Sequence, residues 1–190
     1  MAHVGVLKEI ERAGVRIDYI GGTSMGAIVG GLYACGYSAT QLEQLLLTTD
    51  LSDLINDNFE RDAKSFHDKE DSERYAITLP IVKGKIQFPV SLSKGQNVYN
   101  LLVQLMHDQR NISDFSKLPI PFYCIATDLN NGKMVLLDKG FLPLAVNASG
   151  ALPTLFSPVT VESRTLIDGG ISNNYPIEEM LKKKMDVIIG

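Results

Sequence analysis

Gly22-Thr23-Ser24-Met25-Gly26 stands between a strand-like run and a helix-like run, and that placement constrains the chain more than any other feature. Before it, Val15-Arg16-Ile17-Asp18-Tyr19-Ile20 alternates apolar and polar side chains, the period of a strand, until Gly21 and Gly22 interrupt it. After it, residues 27–35 are small, apolar and compatible with a helix. Strand, tight turn and helix form the setting in which a G-x-S-x-G serine is pushed clear of a sheet with its hydroxyl at a helix N-terminus. Glycines remove side chains that would collide in so tight a turn. The first N–H groups of the helix, with their partial positive charge, would face negative charge developing on a substrate. Three fixed positions in five are also compatible with a purely structural turn. Gly26 and Gly30, four apart, suit close helix packing as well.

The remaining pattern fills in an α/β chain. Val4, Leu7 and Ile10 recur at helical spacing, with Gly14 as a C-terminal stop. A second helix is expected over residues 40–47, followed by a polar, solvated excursion over 48–73. Val98, Leu101, Leu102, Leu105 and Met106 share one helix face, with Ser93 or Asn97 as cap. That face is expected to join the core; the alternative is a lipid-facing lid. Residues 122–127 and 134–137 read as strands joined by a turn-rich connection. A helix over 144–148, a strand over 165–167, a helix over 177–184 and a last strand over 186–190 complete the order. Alternation of strands and helices implies a three-layer α/β/α fold around a mainly parallel sheet. With 190 residues, 45% of them hydrophobic, and no repeat or linker, residues 1–190 are read as a single domain.

Composition narrows the partners. A net charge of −4 and one short basic run, Lys182-Lys183-Lys184, offer nothing to a phosphate backbone, so nucleic acid is not an expected partner. Cys35 and Cys124 stand apart from each other and from paired histidines, which suggests neither a zinc site nor a disulfide, and both read as small buried residues. No apolar run reaches the roughly 18 residues that a membrane-spanning helix needs, so the segment is expected to be soluble. No cofactor or metal is implied.

A serine nucleophile needs a base. The chain has three histidines: His3 in the first helix, His67 in the polar excursion, and His107 at the end of the amphipathic helix. None stands in a strand-end loop, so ordinary surface roles are expected for all three. Asp168 is the better candidate, because it follows the strand over 165–167 and precedes Gly169-Gly170, which reads as a flexible turn. An aspartate with a pKa of ~3.9 is a weak base, so burial or tight geometry must compensate.

These residues together resemble the patatin-like phospholipase family. Ala2-His3-Val4-Gly5-Val6-Leu7 looks like the start of the family's first helix, and residues 22–26 are similar to its serine elbow. Residues 148–153, with Phe156, Pro158 and Val159, resemble the segment before its aspartate. Asp168-Gly169-Gly170 followed by Asn173-Asn174-Tyr175-Pro176 is similar to the D-G-G-x-x-N-N-x-P pattern of bacterial members. The resemblance implies a lipid acyl hydrolase in which Ser24 is the nucleophile and Asp168 the base, without histidine or cofactor. Its implied substrate is a phospholipid or similar acyl ester, met through transient contact with a membrane surface. The family's glycine-rich oxyanion loop would precede Ala2, so the sequence is expected to be a fragment that lacks the first strand and continues beyond its C-terminus. Some bacterial members are joined to an outer-membrane barrel, which implies a cell-envelope setting or otherwise the cytoplasm. Two other readings remain open. One is a catalytically silent domain that binds lipid or protein. The other is a histidine-dependent esterase or an acyltransferase, although an acyltransferase should carry an arginine after its elbow and none occurs between Ser24 and Arg61.

Overall fold

The computed structural model describes residues 2–55, 57, 81–82, 85–86 and 91–190. Helix α1 (Ala2–Arg12) buries Val4 and ends where expected: Gly14, at φ +69°, lets the Val15 N–H return to the Ile10 carbonyl. Strand β1 (Ile20–Thr23) runs into α2 (Met25–Ala34), with Ser24 as the only residue between them. Next come α3 (Ala39–Thr48), which opens on a capping box between Ser38 and Gln41, and the short α4 (Leu51–Ile55). The rest of the expected polar excursion lies outside the described residues, Asp57 excepted. Two short elements follow, the antiparallel pair β2 (Ile81–Val82) and β3 (Lys85–Ile86), and then β4 (Ser91–Ser93). Helix α5 (Gln96–Leu105) leads to β5 (Phe122–Asp128) and β6 (Met134–Leu137). Helix α6 (Leu142–Ser149), β7 (Thr154–Phe156), β8 (Val159–Val161), β9 (Arg164–Asp168) and α7 (Ile177–Leu181) complete the chain.

The main sheet runs β1-β5-β9-β8, with β6 pairing the other side of β5. All seven residues of β5 are buried, and its two faces meet different neighbours. Phe122, Cys124 and Ala126 join the core with Val29 and Leu32 of α2, Leu102 of α5 and Val146 of α6. Tyr123 and Thr127, on the opposite face by strand alternation, meet the C-terminal segment: the Tyr123 hydroxyl donates to the Pro176 carbonyl at 2.8 Å, and that of Thr127 lies 2.8 Å from the Ser172 hydroxyl. Helices thus flank a central sheet. Leu102 and Met106 are 3% and 1% exposed, so the amphipathic face belongs to the core, not to a lid.

Several expectations give way to the structure. Of the described pairings in the main sheet, β1 with β5 is parallel, whereas β5 with β6, β5 with β9 and β8 with β9 are antiparallel. The expectation of a mainly parallel sheet therefore fails among these strands. For two of these pairings the reason is local: β5–β6 and β8–β9 are joined by connections too short for a parallel crossover, and Glu162 and Ser163, at φ +48° and +68°, form the primed type of turn that closes a tight hairpin. Strand β1 begins only at Ile20, because its partner Phe122 follows Pro119 and Pro121, which lack the N–H groups to extend the ladder. The helix expected over 177–184 ends at Leu181, Lys184 has φ +56°, and residues 186–190 form no strand. Cys124 is buried as expected and Cys35 half-buried; burial pushes the Cys35 thiol up to about 12 and raises that of Cys124 as well, so both stay neutral.

The cap of α5 also differs from expectation. Neither Ser93 nor Asn97 caps it from within; Gly95, at φ +73°, occupies the N-cap position. The missing acceptor comes from Asp57, whose carboxylate takes the N–H groups of Gly95 and Asn97 at 2.8 and 2.9 Å and the Ser93 hydroxyl at 2.7 Å. Burial by itself would raise this carboxyl, but the converging donors outweigh it and hold it below the usual carboxylate range. A depressed carboxyl stabilises the fold above its unfolded pKa of ~3.9 and loses that contribution as pH falls through the folded value. Asp57→Ala is expected to cost about 0.5–2 kcal/mol at pH 7. The difference from wild type should shrink as thermal unfolding is followed down toward pH 3.

A serine-aspartate pair at the end of two strands

Ser24 occupies the single position between β1 and α2 and has φ +54° and ψ −122°, a backbone state that costs a non-glycine residue about 1–3 kcal/mol unless its surroundings impose it. Three contacts do so. The Ser24 N–H donates to Ser149 Oγ at 3.0 Å, the Ser24 carbonyl accepts the N–H groups of Ala27 and Ile28, and the neighbouring Thr23 hydroxyl donates to the Asn173 carbonyl at 3.1 Å. As the first two residues of α2, Met25 and Gly26 have N–H groups that no carbonyl within the helix can take.

Asp168 is the last residue of β9 and is 3% exposed. The Ser24 hydroxyl donates to Asp168 Oδ2 at 2.5 Å, and the Gly170 N–H donates to Asp168 Oδ1 at 2.7 Å. A hydroxyl bound to a carboxylate at this distance belongs among the strong, charge-assisted hydrogen bonds. The Asp168 backbone is held as firmly: its N–H donates to the Ala151 carbonyl at 2.9 Å, and its carbonyl accepts the Thr127 hydroxyl at 2.9 Å.

The glycines around the pair act mainly by letting backbones approach. A Cβ on Gly22 would lie 2.5 Å from the Gly26 carbonyl oxygen, and one on Gly169 would lie 2.1 Å from the Ile125 carbonyl oxygen. Gly26 is different, because a Cβ there would meet only His3 Nε2, at 3.7 Å, which is ordinary contact. Collision avoidance thus explains Gly22 but not Gly26, and close helix packing explains Gly30, whose Cβ would sit 2.8 Å from Ile20 Cγ2. Nor is Asp168-Gly169-Gly170 the flexible turn that the sequence suggests: residues 169–171 form a 3₁₀ turn, Gly169 is buried, and the Asp168 side chain caps it.

Among the described residues, no histidine hydrogen-bonds to Ser24 or Asp168. His3 lies on the exposed side of α1 with its ring over Gly26, His107 is exposed in a 3₁₀ turn after α5, and His67 lies outside the described residues. Among the described residues, no group of three or more His, Cys, Asp or Glu side chains could hold a metal ion, and no helix is long and apolar enough to cross a membrane. The sequence reading missed Ser149 and Thr127. Both are 0% exposed and fully bonded. A buried hydroxyl needs a partner, so a serine within the small, apolar stretch over 145–151 was the available signal.

A sequence model of the patatin-like phospholipase family matches residues 1–181. This chain belongs to that family. It is 31% identical over its whole length to lysophospholipase NTE1 of Debaryomyces hansenii, of which it spans 11%, and 30% identical over 99% of its length to an uncharacterized NTE family protein of Mycobacterium bovis, of which it spans 44%. The chain therefore covers about a tenth of the first of these relatives. Among solved structures, VipD from Legionella pneumophila superimposes with a TM-score of 0.55 at 15% identity, covering 92% of this chain and 44% of VipD, which shows a shared fold.

The contacts predict a sharp difference between the motif glycines of this patatin-like chain. Gly169→Ala and Gly22→Ala force a methyl group into backbone and should each destabilise by about 1–3 kcal/mol or more. Gly26→Ala, whose methyl would make only ordinary contact with His3 within a helix, should be neutral or stabilising by up to about 1 kcal/mol. Thermal unfolding of the three variants measures the order.

Proposed function

We propose that this chain is the catalytic domain of a serine lipid acyl hydrolase in which Ser24 and Asp168 form a two-residue dyad. The observation that carries the reading is the 2.5 Å hydrogen bond from the Ser24 hydroxyl to a carboxylate that is 3% exposed, at the head of a helix. Water excluded from the carboxylate cannot compete for the serine proton, and the bond aligns Ser24 Oγ for transfer as it attacks. In this mechanism Asp168 takes the Ser24 proton as Oγ adds to the ester carbonyl, and negative charge collects on the carbonyl oxygen. The N–H groups of Met25 and Gly26 and the partial positive charge of the helix end favour that charge. Collapse of the tetrahedral adduct breaks the ester bond, and the proton passes to the departing alcohol, leaving an acyl-serine. Water then attacks the acyl group, Asp168 takes the water proton and returns it to Ser24, and a fatty acid leaves.

Acyl lipids are the substrates the surroundings favour. Met25, Leu152 and Ile171 are 49%, 49% and 56% exposed, and each lies close in the chain to a residue that holds or forms the dyad. Together they offer apolar surface to an acyl chain or to the lipid layer that carries it. The names of the relatives point the same way, to phospholipid and lysophospholipid esters. We propose transient contact of this face with a lipid surface, and a single patatin-like domain over residues 1–190.

The test uses a soluble chromogenic ester and a lysophospholipid with the full-length protein. Ser24→Ala and Asp168→Asn are expected to lower kcat at least ~1,000-fold, a loss comparable to removing one triad member elsewhere. His3→Ala, His67→Ala and His107→Ala should each retain turnover. An essential histidine would replace the dyad with a histidine-dependent mechanism, and an inert wild type would leave a lipid-binding domain.

A further inference from the structure

A segment of three residues touches both halves of the proposed dyad. At its start, Ser149 Oγ accepts the Ser24 N–H at 3.0 Å and donates its only proton to the Ile125 carbonyl at 2.5 Å. At its end, the Ala151 carbonyl accepts the Asp168 N–H at 2.9 Å. The direction of the Ser149 bonds is determined by chemistry. A carbonyl cannot donate, so the hydroxyl proton goes to Ile125 and a lone pair is left for Ser24. Ser149 is 0% exposed, and no water reaches it to share either bond.

This hydroxyl meets a backbone that needs holding. Ser24 has φ +54° and ψ −122°, and the Ser149 bond takes up its N–H. That bond also removes the Ser24 N–H from the set of donors that could face an oxyanion, which leaves, within the elbow itself, those of Met25 and Gly26.

We propose that Ser149 is a positioning residue for the ester hydrolysis described above, and that residues 149–151 form a bridge that sets the reach between Ser24 Oγ and Asp168 Oδ2. The inference rests on the dyad reading. Ser149 touches neither substrate nor the reacting atoms; it acts through the Ser24 backbone. Loss of its acceptor lets Ser24 relax toward ordinary backbone angles, which rotates Oγ away from Asp168. Misplacement of a reacting group by about 1 Å costs on the order of 100-fold in rate.

The experiment compares Ser149→Ala, Ser149→Thr and Ser93→Ala with wild type in the full-length protein. Ser93 is a buried hydroxyl whose side chain bonds Asp57, at 2.7 Å, and the Gly95 N–H but neither member of the dyad, and serves as the control for loss of a buried hydrogen bond. Three quantities are read on a soluble chromogenic ester well below each variant's Tm: kcat, KM, and the rate at which a fluorophosphonate labels Ser24. Ser149→Ala is expected to lose about 10- to 100-fold in kcat and in labelling rate with KM within twofold. Ser93→Ala should lose Tm but keep kcat. Ser149→Thr, which restores the acceptor, should recover most of the labelling rate if its Tm matches wild type. A Ser149→Ala enzyme with wild-type kcat overturns the inference, as does a loss of kcat matched by Ser93→Ala at equal loss of Tm. Turnover that survives Ser24→Ala in the same assay overturns the dyad reading itself, and this inference with it.

Discussion

One strand holds both members of the candidate site. β5 pairs with β1 through residues 122–125 and with β9 through residues 126–128, so its backbone sets how far the end of β1 lies from the end of β9. Ser24 follows the first end and Asp168 is the second, which makes the separation of the two side chains a property of the sheet ladder. The register puts Thr23 opposite Ile125 and Asp168 opposite Ala126, consecutive positions on β5, so the ladder brings the two ends side by side. Just past Asp168, the Gly169 backbone passes the Ile125 carbonyl where no Cβ could fit. The same carbonyl accepts the Ser149 hydroxyl, so a single peptide group on β5 borders both the aspartate turn and the hydroxyl that holds Ser24.

The arrangement has a consistent division of labour. Strands and buried hydroxyls position the backbones that carry the two side chains of the proposed dyad. Thr127 and Ser149, both on or over β5, hold backbone atoms of Asp168 and Ser24 respectively and are fully buried. In a dry interior such bonds are strong and costly to break. Apolar residues close to the pair in the chain are treated in the opposite way: Met25, Leu152 and Ile171 remain about half-exposed. A buried polar frame with exposed apolar residues close to it in the chain is consistent with the proposed chemistry on an acyl ester.

Much of the local structure was legible because it depends on neighbours in the chain. The helix of residues 2–12 with its glycine stop, the capped helix that begins at Ala39, and the amphipathic helix over 96–105 follow from periodicity and end signals. Strand direction was less legible, since alternation of elements suggests parallel crossovers and says little about hairpins until the turn at Glu162-Ser163 is considered. The cap of the 96–105 helix could not be read from its own residues, because its acceptor is Asp57, about 40 positions earlier. The terminal strand expected over 186–190 is not formed: an apolar run becomes a strand only by pairing, and residues 186–190 pair with no strand of the described sheets.

By itself, the sequence determined the strand–turn–helix around Ser24, the strand end at Asp168 and the family, because each is carried by contiguous residues whose spacing imposes local backbone geometry. The tertiary structure alone decided that the Ser24 hydroxyl reaches Asp168 Oδ2 at 2.5 Å and that Ser149 holds the Ser24 N–H. It alone assigned different reasons to glycines that look alike in the motif. Those outcomes depend on how closely distant backbones pack. Close approach between segments 24, 125, 149 and 168 is set by the whole sheet and its covering helices, and no local pattern encodes it.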